Sequence, residues 1–444
     1  MKIPAVKGTR DLYPDLLAPI RRIFDVWRAV SIRHGFEEFE GPTLEYLDLY
    51  REKSGDELVG QLYRLTDSGG RELALRPEMT PTLARMVAAQ ISSLPKPIKW
   101  FSIPTLFRGE NVQRGRLREF YQWNVDVIGA ADVVADAEVI LVGVEALREM
   151  GLREADFAVH ISNRRMIAAM LQAAGIAPER LSGAYALMDK SGKLEAAEFD
   201  RRWDAAYGAH LPSARLRALL ASTDLNGLER EMRRIAGGSK HADAAAELEA
   251  AVAETARLMA ILSDFGITEY CKLDLRVVRG LAYYTGPVFE FYDRSEKERA
   301  ICGGGRYDDL LGKLGKSREP AVGFGMGDVV LALLLEEKSL RGPARRTAGV
   351  YVIDADPAAR PIVHRVVAAL RRAGLCADFG YAAQPIGKQL KSADKKGARF
   401  AVILGIDPAD AGRVRIRDMA GGHERDATLA NLLEDPKKMI GIDT

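Results

Sequence analysis

Residues 107–129 read FRGENVQRGRLREFYQWNVDVIG. Both ends have strand character: FRGE closes one strand, and EFYQWNVDVIG alternates along a longer one. The middle, NVQRGRLR, is polar and carries Arg114, Arg116 and Arg118, with Arg108 just before it. On the second strand Phe120, Gln122, Asn124 and Asp126 share one face by the period of two. One aromatic and three polar groups make a poor core face, because a buried polar group costs free energy unless it is paired. Two readings stay open at this point: a solvated hairpin, or a phosphate and amine site built on a sheet.

The flanking segments offer the same kinds of group. In FRGE, Arg108 and Glu110 alternate with Phe107 and Gly109 and so point to one face. An arginine fork matches two phosphate oxygens, and a nearby glutamate can orient it or hold Mg²⁺ or an adenine amine. A surface ion pair is the plainer alternative. LRPEMT, residues 75–80, sets Arg76 and Glu78 between a strand and a helix. A carboxylate there either caps the helix dipole or receives a substrate ammonium. RVVRGLAYYTGPVFEFY, residues 276–292, places Arg279 beside Gly280, with Tyr283 and Tyr284 following. The glycine permits close backbone approach, and Arg279 can stabilise charge on a carboxylate or phosphate oxygen. One of the two tyrosines is expected in the core. CGGGRYDD, residues 302–309, decides nothing alone, since three glycines after a strand are often just a turn. GFGMGD, residues 323–328, lacks the strand-turn-helix context of a dinucleotide fingerprint, which excludes that class.

With 444 residues, 47% of them hydrophobic and 28% charged, the chain is long enough for two or three folded domains. No run approaches the roughly 18 apolar residues of a membrane span, and the start has no apolar signal-peptide core. A cytoplasmic protein without membrane segments is expected. Cys271, Cys302 and Cys376 are far apart and lack metal-ligand spacing, so they are expected as small buried hydrophobes. The six histidines are scattered, and no structural metal is expected. Net charge is +2, yet residues 341–417 carry 15 Lys/Arg against six Asp, which leaves 49 basic and 56 acidic residues elsewhere. A basic module on a mildly acidic body suggests nucleic-acid contact; a basic but merely soluble surface is the alternative.

Apolar spacing predicts a helix over 14–34, through Leu17, Ile20, Ile23, Phe24, Trp27 and Val30. A strand over 35–50 is interrupted at Pro42, which suggests a boundary or interface. A hairpin with DSGG as its turn follows, and helices are expected over 80–94, 132–151 and 164–174. Residues 176–264, rich in Ala, Leu, Glu and Arg, read as a helical insertion. Strands return over 271–293 and 298–315, and residues 320–338 pass from strand to helix. The divisions expected are a body over 1–335, a linker over 336–347 and a small α/β domain over 348–444.

The order GTRDLYP, LRPEMT, FRGE…GRLREFYQ, VRGLAYYTG, GGGRYDDL and AVGFGMG resembles the histidyl-tRNA synthetase family, which belongs to the class II aminoacyl-tRNA synthetases. The likeness covers nearly the whole chain; GKQLKSADKKGARFAVILG, residues 387–405, resembles the family's anticodon-binding domain. It implies an α/β chain whose catalytic core is a class II antiparallel sheet flanked by helices, with a helical insertion and a C-terminal α/β domain. It also implies a homodimer through the region around Pro42. The implied reaction makes histidyl-adenylate from L-histidine and ATP with Mg²⁺, then passes the histidyl group to tRNA. By the same resemblance Arg108 binds the α-phosphate, Phe120 stacks on adenine, and Glu110 contacts adenine or metal. Glu78, Thr80 and Gln122 hold the amino end, Asp126 and Tyr284 read the imidazole, and Tyr283 walls the pocket. Arg279 stabilises charge on the α-phosphate or the attacking carboxylate. Arg114, Arg116 and Arg118 are candidates for the tRNA acceptor end.

Two departures stand out. Val330 occupies the place of an arginine that clamps the ATP γ-phosphate, with Asp328 nearby; Arg306 or an arginine of the hairpin loop is the candidate replacement. Asp126 stands where the family often has glutamate. A histidine-binding regulatory paralogue that partners an ATP phosphoribosyltransferase shares the catalytic fold, and the missing arginine favours it. The C-terminal domain, with Arg108, Arg279, Glu78 and Gln122, argues for the enzyme.

Overall fold

The computed structural model describes residues 3–51, 60–191, 194–222, 225–277, 283–295, 299–314, 318–342, 349–407, 410 and 412–441. It divides into two units, Met1–Gly342 and Pro343–Thr444. Strands of the first unit, in chain order, are β1 (Glu37–Glu38), β2 (Leu44–Tyr46), β3 (Arg64–Thr66), β4 (Glu72–Leu75), β5 (Ile98–Ser102) and β6 (Thr105–Phe107). Then come β7 (Glu119–Ile128), β8 (Phe157–Asn163), β9 (Cys271–Leu273), β10 (Pro287–Asp293), β11 (Cys302–Arg306) and β12 (Ala321–Gly327).

Nine of these strands form one sheet in the order β1-β5-β7-β12-β11-β10-β8-β9, with β6 paired to β7. Its pairings are antiparallel except β1 with β5 and β8 with β9. The helix expected over 14–34 forms at Pro14–Arg33 and buries Ile20, Ile23, Phe24, Trp27 and Val30. Trp27 stacks on Trp123 at 5.7 Å, and Trp123 meets Phe324 edge-on at 5.0 Å. The helices Val134–Glu149 and Asp328–Glu337 join this core. Trp123, Val125 and Val127 of β7 therefore face apolar side chains. The alternate residues from Phe120 to Asp126 take the opposite face, as the period of two requires.

Local punctuation accounts for several differences from expectation. Pro42 does more than interrupt a strand: β1 joins the large sheet, whereas β2 pairs with β4 in a separate sheet of order β2-β4-β3. The helix expected over 80–94 stops at Gln90. The glycine triplet 303–305 forms the middle of β11, and the strand expected over 298–315 gives way to a helix at Leu310–Leu314. A Cβ on Gly304 would stand 2.4 Å from the Gly323 carbonyl oxygen and 2.6 Å from Phe289 Cζ, so its neighbours close over the bare backbone. Only Cys302 is buried; Cys271 is half-buried and Cys376 is exposed. The insertion carries the helices Leu181–Met188, Ala196–Tyr207, Ser213–Leu220, Leu225–Gly237 and Ala242–Asp264, packed around Phe199, Trp203 and Leu248.

The second unit holds β13 (Val350–Asp354), β14 (Ala377–Phe379), β15 (Phe400–Leu404), β16 (Arg413–Asp418) and β17 (Glu424–Thr428), in the order β14-β13-β15-β16-β17. The helices Arg360–Arg372 and Ile386–Lys395 contribute to two separate apolar clusters. The basic run ending at Arg417 is partly neutralised in place. Arg413 and Arg415 pair with Asp426, and Arg417 pairs with Glu424 at 3.1 Å, acidic groups that lie just beyond the counted stretch.

Candidate active site

Two neighbouring strands make a floor. In their register Asp126 lies opposite Gly323, Asn124 opposite Gly325, and Gln122 opposite Gly327. A Cβ on Gly323 would fall 2.0 Å from Asp126 Oδ1, and one on Gly325 would fall 2.7 Å from Gln122 Cδ. The alternating glycines of GFGMG thus make room for the polar side chains of β7, a use that only the pairing reveals.

Asp126 is buried, and the Tyr307 hydroxyl donates to its Oδ1 at 2.5 Å. Burial pushes the Asp126 carboxyl up to about 7, against the pull of that hydroxyl. Burial raises the Tyr307 hydroxyl well above its usual range too. The sequence reading did not single out Tyr307, although it sits in the GGGRYDDL motif; its place directly after β11 was the available signal. The Tyr307 ring meets Tyr283 at 5.9 Å, Tyr283 lies 5.0 Å from Tyr284, and the Tyr283 hydroxyl is 3.5 Å from Glu78 Oε2. An aromatic wall therefore links Asp126 to Glu78. Both tyrosines are buried in one cluster with Leu83 and Val288, where only one had been expected. Glu78 is buried just before the helix Thr80–Gln90, with Thr80 its first residue.

Towards the start of β7 the character changes. Arg108 donates its Nε to the Pro77 carbonyl at 2.9 Å and holds its guanidinium 5.2 Å from the Phe120 ring centroid. Glu110 is buried and ion-paired with Arg116. Arg118 donates its Nε to the Glu110 carbonyl at 3.0 Å, and Arg114 is exposed at the hairpin's tip. Arg76 is a strut: it bonds Glu40 and the carbonyls of Gly41 and Thr105 at 2.6, 2.7 and 3.0 Å. Arg279 falls in 278–282, outside the described residues.

A family model for histidyl-tRNA synthetase matches residues 8–328, and one for an anticodon binding domain matches 349–438. A histidine–tRNA ligase of Opitutus terrae is 40% identical over 424 residues, 95% of either chain. Another, of Natronomonas pharaonis, is 37% identical over 426 residues, 96% of either chain. The chain belongs to the histidyl-tRNA synthetase family. The crystal structure of a histidyl-tRNA synthetase from Nostoc superposes with a TM-score of 0.84 over 99% of this chain and 100% of that one, and at 23% identity it speaks for the fold. The expected fold and the ligase reading both hold. The regulatory paralogue is not favoured, because the match to an anticodon-binding module lies outside the body which that paralogue shares.

Val330, where the resemblance implies an arginine, has a structural context. Val330 is buried in the main core with Leu331 and Leu334, so position 330 faces apolar side chains. Arg306 is not a replacement cation, contrary to the sequence expectation. It is buried, its Nε lies 3.1 Å from Asp136 Oδ2, and it also bonds the Ala130 and Asp132 carbonyls at 3.1 and 3.2 Å and Asp308 at 3.3 Å. It is wedged against the start of the helix Val134–Glu149, where burial pushes the Asp136 carboxyl up to about 6 despite the guanidinium beside it. Asp328 is buried too; it accepts from the Tyr121 N–H at 2.9 Å and from Arg10 at 2.7 Å. Sequence reasoning missed Arg10, which lies in the GTRDLYP motif.

Proposed function

We propose that this chain joins L-histidine to its tRNA at the β7 pocket, using ATP, on a class II synthetase core. The observation that carries the proposal is the graded face of β7: a ring under a guanidinium at Phe120, and a buried acid at Asp126. They stand six positions apart along the strand, roughly 20 Å, room for a nucleotide and an amino acid end to end. Phe120 stacks on adenine, with Glu110 near that end, and Arg108 neutralises the α-phosphate. Glu78, Thr80 and Gln122 hold the ammonium, Tyr283 walls the pocket, and Asp126 with Tyr284 takes the imidazole. Arg279 is assigned to the attacking carboxylate and α-phosphate by its motif alone.

In the first step a carboxylate oxygen of histidine attacks the α-phosphorus. The bond to the bridging oxygen of the β-phosphate breaks, and pyrophosphate leaves. No side chain forms a covalent bond, so orientation and charge neutralisation supply the catalysis. In the second step a hydroxyl of the terminal ribose attacks the histidyl carbonyl carbon, and AMP leaves with the hydroxyl's proton. Mg²⁺ would be held by the phosphates of ATP, where it would offset their charge; Glu110, the candidate contact on this chain, is ion-paired with Arg116.

The tRNA is met at two places. Arg114, Arg116 and Arg118 suit the acceptor end. In the second unit Tyr381 is 87% exposed beside Phe379, a ring platform suited to a single-stranded anticodon loop. A homodimer is supported by the small sheet, where exposed Leu44, Tyr46 and Leu65 share a face beside Pro42. The cytoplasm is the proposed location, where tRNA and ATP meet; no described helix is long and apolar enough to cross a membrane. Histidine-dependent ATP–pyrophosphate exchange tests the proposal, with Arg108→Ala and Arg279→Ala expected to abolish it. A folded chain that binds histidine without exchange would return the regulatory paralogue.

A further inference from the structure

The segment Lys7–Arg10 lies against the base of the arginine hairpin. The Gly8 carbonyl accepts the backbone N–H groups of Arg118 at 2.9 Å and Glu119 at 3.3 Å, and the Lys7 carbonyl accepts Arg118 Nη1 at 3.4 Å. Gly8 has φ of +90°, and a Cβ there would fall 2.8 Å from Arg118 Cγ and 2.9 Å from Val112 Cγ2, so only glycine fits. Two residues on, Arg10 donates to Asp328 Oδ2 at 2.7 Å. Asp328 opens the helix Asp328–Glu337 with its side chain 0% exposed, and its second oxygen accepts the Tyr121 N–H at 2.9 Å. Tyr121 is flanked by Phe120 and Gln122, whose side chains take the opposite face of β7. One carboxylate thus ties together the N-terminal segment, the helix start and β7.

A buried ion pair adds little to stability over an apolar substitute, but its directional bonds specify one arrangement. Burial raises the Asp328 carboxyl, and Arg10 opposes that rise. We propose that Arg10 is a positioning residue for the nucleotide: through Asp328 it locks the Lys7–Arg10 strap and β7 together, and so sets the hairpin that carries Arg108 and Phe120. The lock lies two residues from Val330, where the resemblance implies a cation. The nucleotide rests on the proposed function; the lock rests on geometry.

The test uses the full chain and the variants Arg10→Ala, Arg10→Lys and Asp328→Asn. Losing one charge-assisted hydrogen bond should raise the KM for ATP in pyrophosphate exchange about 10- to 100-fold in Arg10→Ala, with the KM for histidine changed less than about twofold. Arg10→Lys should recover most of the loss, and Asp328→Asn should resemble Arg10→Ala. In hydrogen exchange read by mass spectrometry, a peptide spanning 110–122 should lose protection in Arg10→Ala while 139–147 keeps it. Equal rises in both KM values, or loss of protection throughout the unit, would mark a merely structural role and overturn the proposal, as would no change at all. If the unaltered chain shows no exchange activity, the proposed function fails first, and protection of 110–122 then decides the lock alone.

Discussion

Replacing Tyr307 with Phe deletes one hydroxyl beside Asp126 and leaves the ring that packs against Tyr283. That hydroxyl donates to Asp126 Oδ1 at 2.5 Å with both groups buried, so it stabilises the ionised carboxylate. A hydrogen bond to a charged group is worth about 1.5–3 kcal/mol, which at about 1.4 kcal/mol per unit is about one to two pH units. The Asp126 carboxyl, already at about 7, should move up by that amount. An imidazole N–H needs an ionised acceptor, so the KM for histidine should rise as pH falls through about 7 in the unaltered protein. In Tyr307→Phe the same limb should begin near pH 8 to 9, making the KM at pH 7.5 about tenfold higher, with the KM for ATP unchanged. Pyrophosphate exchange between pH 6 and 9 at varied histidine measures this directly. An unmoved limb, or an equal change for ATP, would refute the assignment of Asp126 to the imidazole. Stability carries a linked sign. The folded Asp126 holds its proton to about 7 against an ordinary 3.8, so it opposes unfolding most fully below about 4 and loses that contribution as pH rises to 7. Asp126→Asn should therefore gain Tm relative to the unaltered chain between pH 5 and 8.

Three further outcomes are expected. Arg306→Met leaves Asp136 buried without its cation and should cost about 3–5 kcal/mol in chemical denaturation, whereas loss below about 1 kcal/mol would show the pair to be dispensable. Gly323→Ala forces the Asp126 carboxylate off the floor and should raise the KM for histidine about tenfold, with a Tm lower by a few degrees because overpacking typically costs about 1–3 kcal/mol; an unchanged KM would place the imidazole elsewhere. Tyr381→Ala should raise the KM for tRNA about fivefold or more in aminoacylation without touching pyrophosphate exchange, because one stacked base is worth about 1–3 kcal/mol; unaltered charging would remove Tyr381 from the tRNA contact.

How much of the site was legible depends on the range of the interaction behind each part. The face of β7 was readable because alternation is a property of successive residues, and Phe120, Gln122, Asn124 and Asp126 kept it in the fold. The glycine triplet stayed undecided because a bare backbone suits either a turn or a crowded strand, and only Phe289 and Gly323 closing on Gly304 select the strand. Arg306 looked available because its partner Asp136 is 170 residues away.

The sequence by itself determined the helix Pro14–Arg33, the alternation of β7, the helical insertion, and the motif order that marks the family, all carried by near-neighbour spacing and residue type. The tertiary structure decided the rest. It set Tyr307 on Asp126 across 181 residues, Arg10 on Asp328 across 318, and Asp126 above Gly323. Those contacts follow from sheet register, and register is chosen by the burial of whole strand faces, which no single stretch of the chain contains.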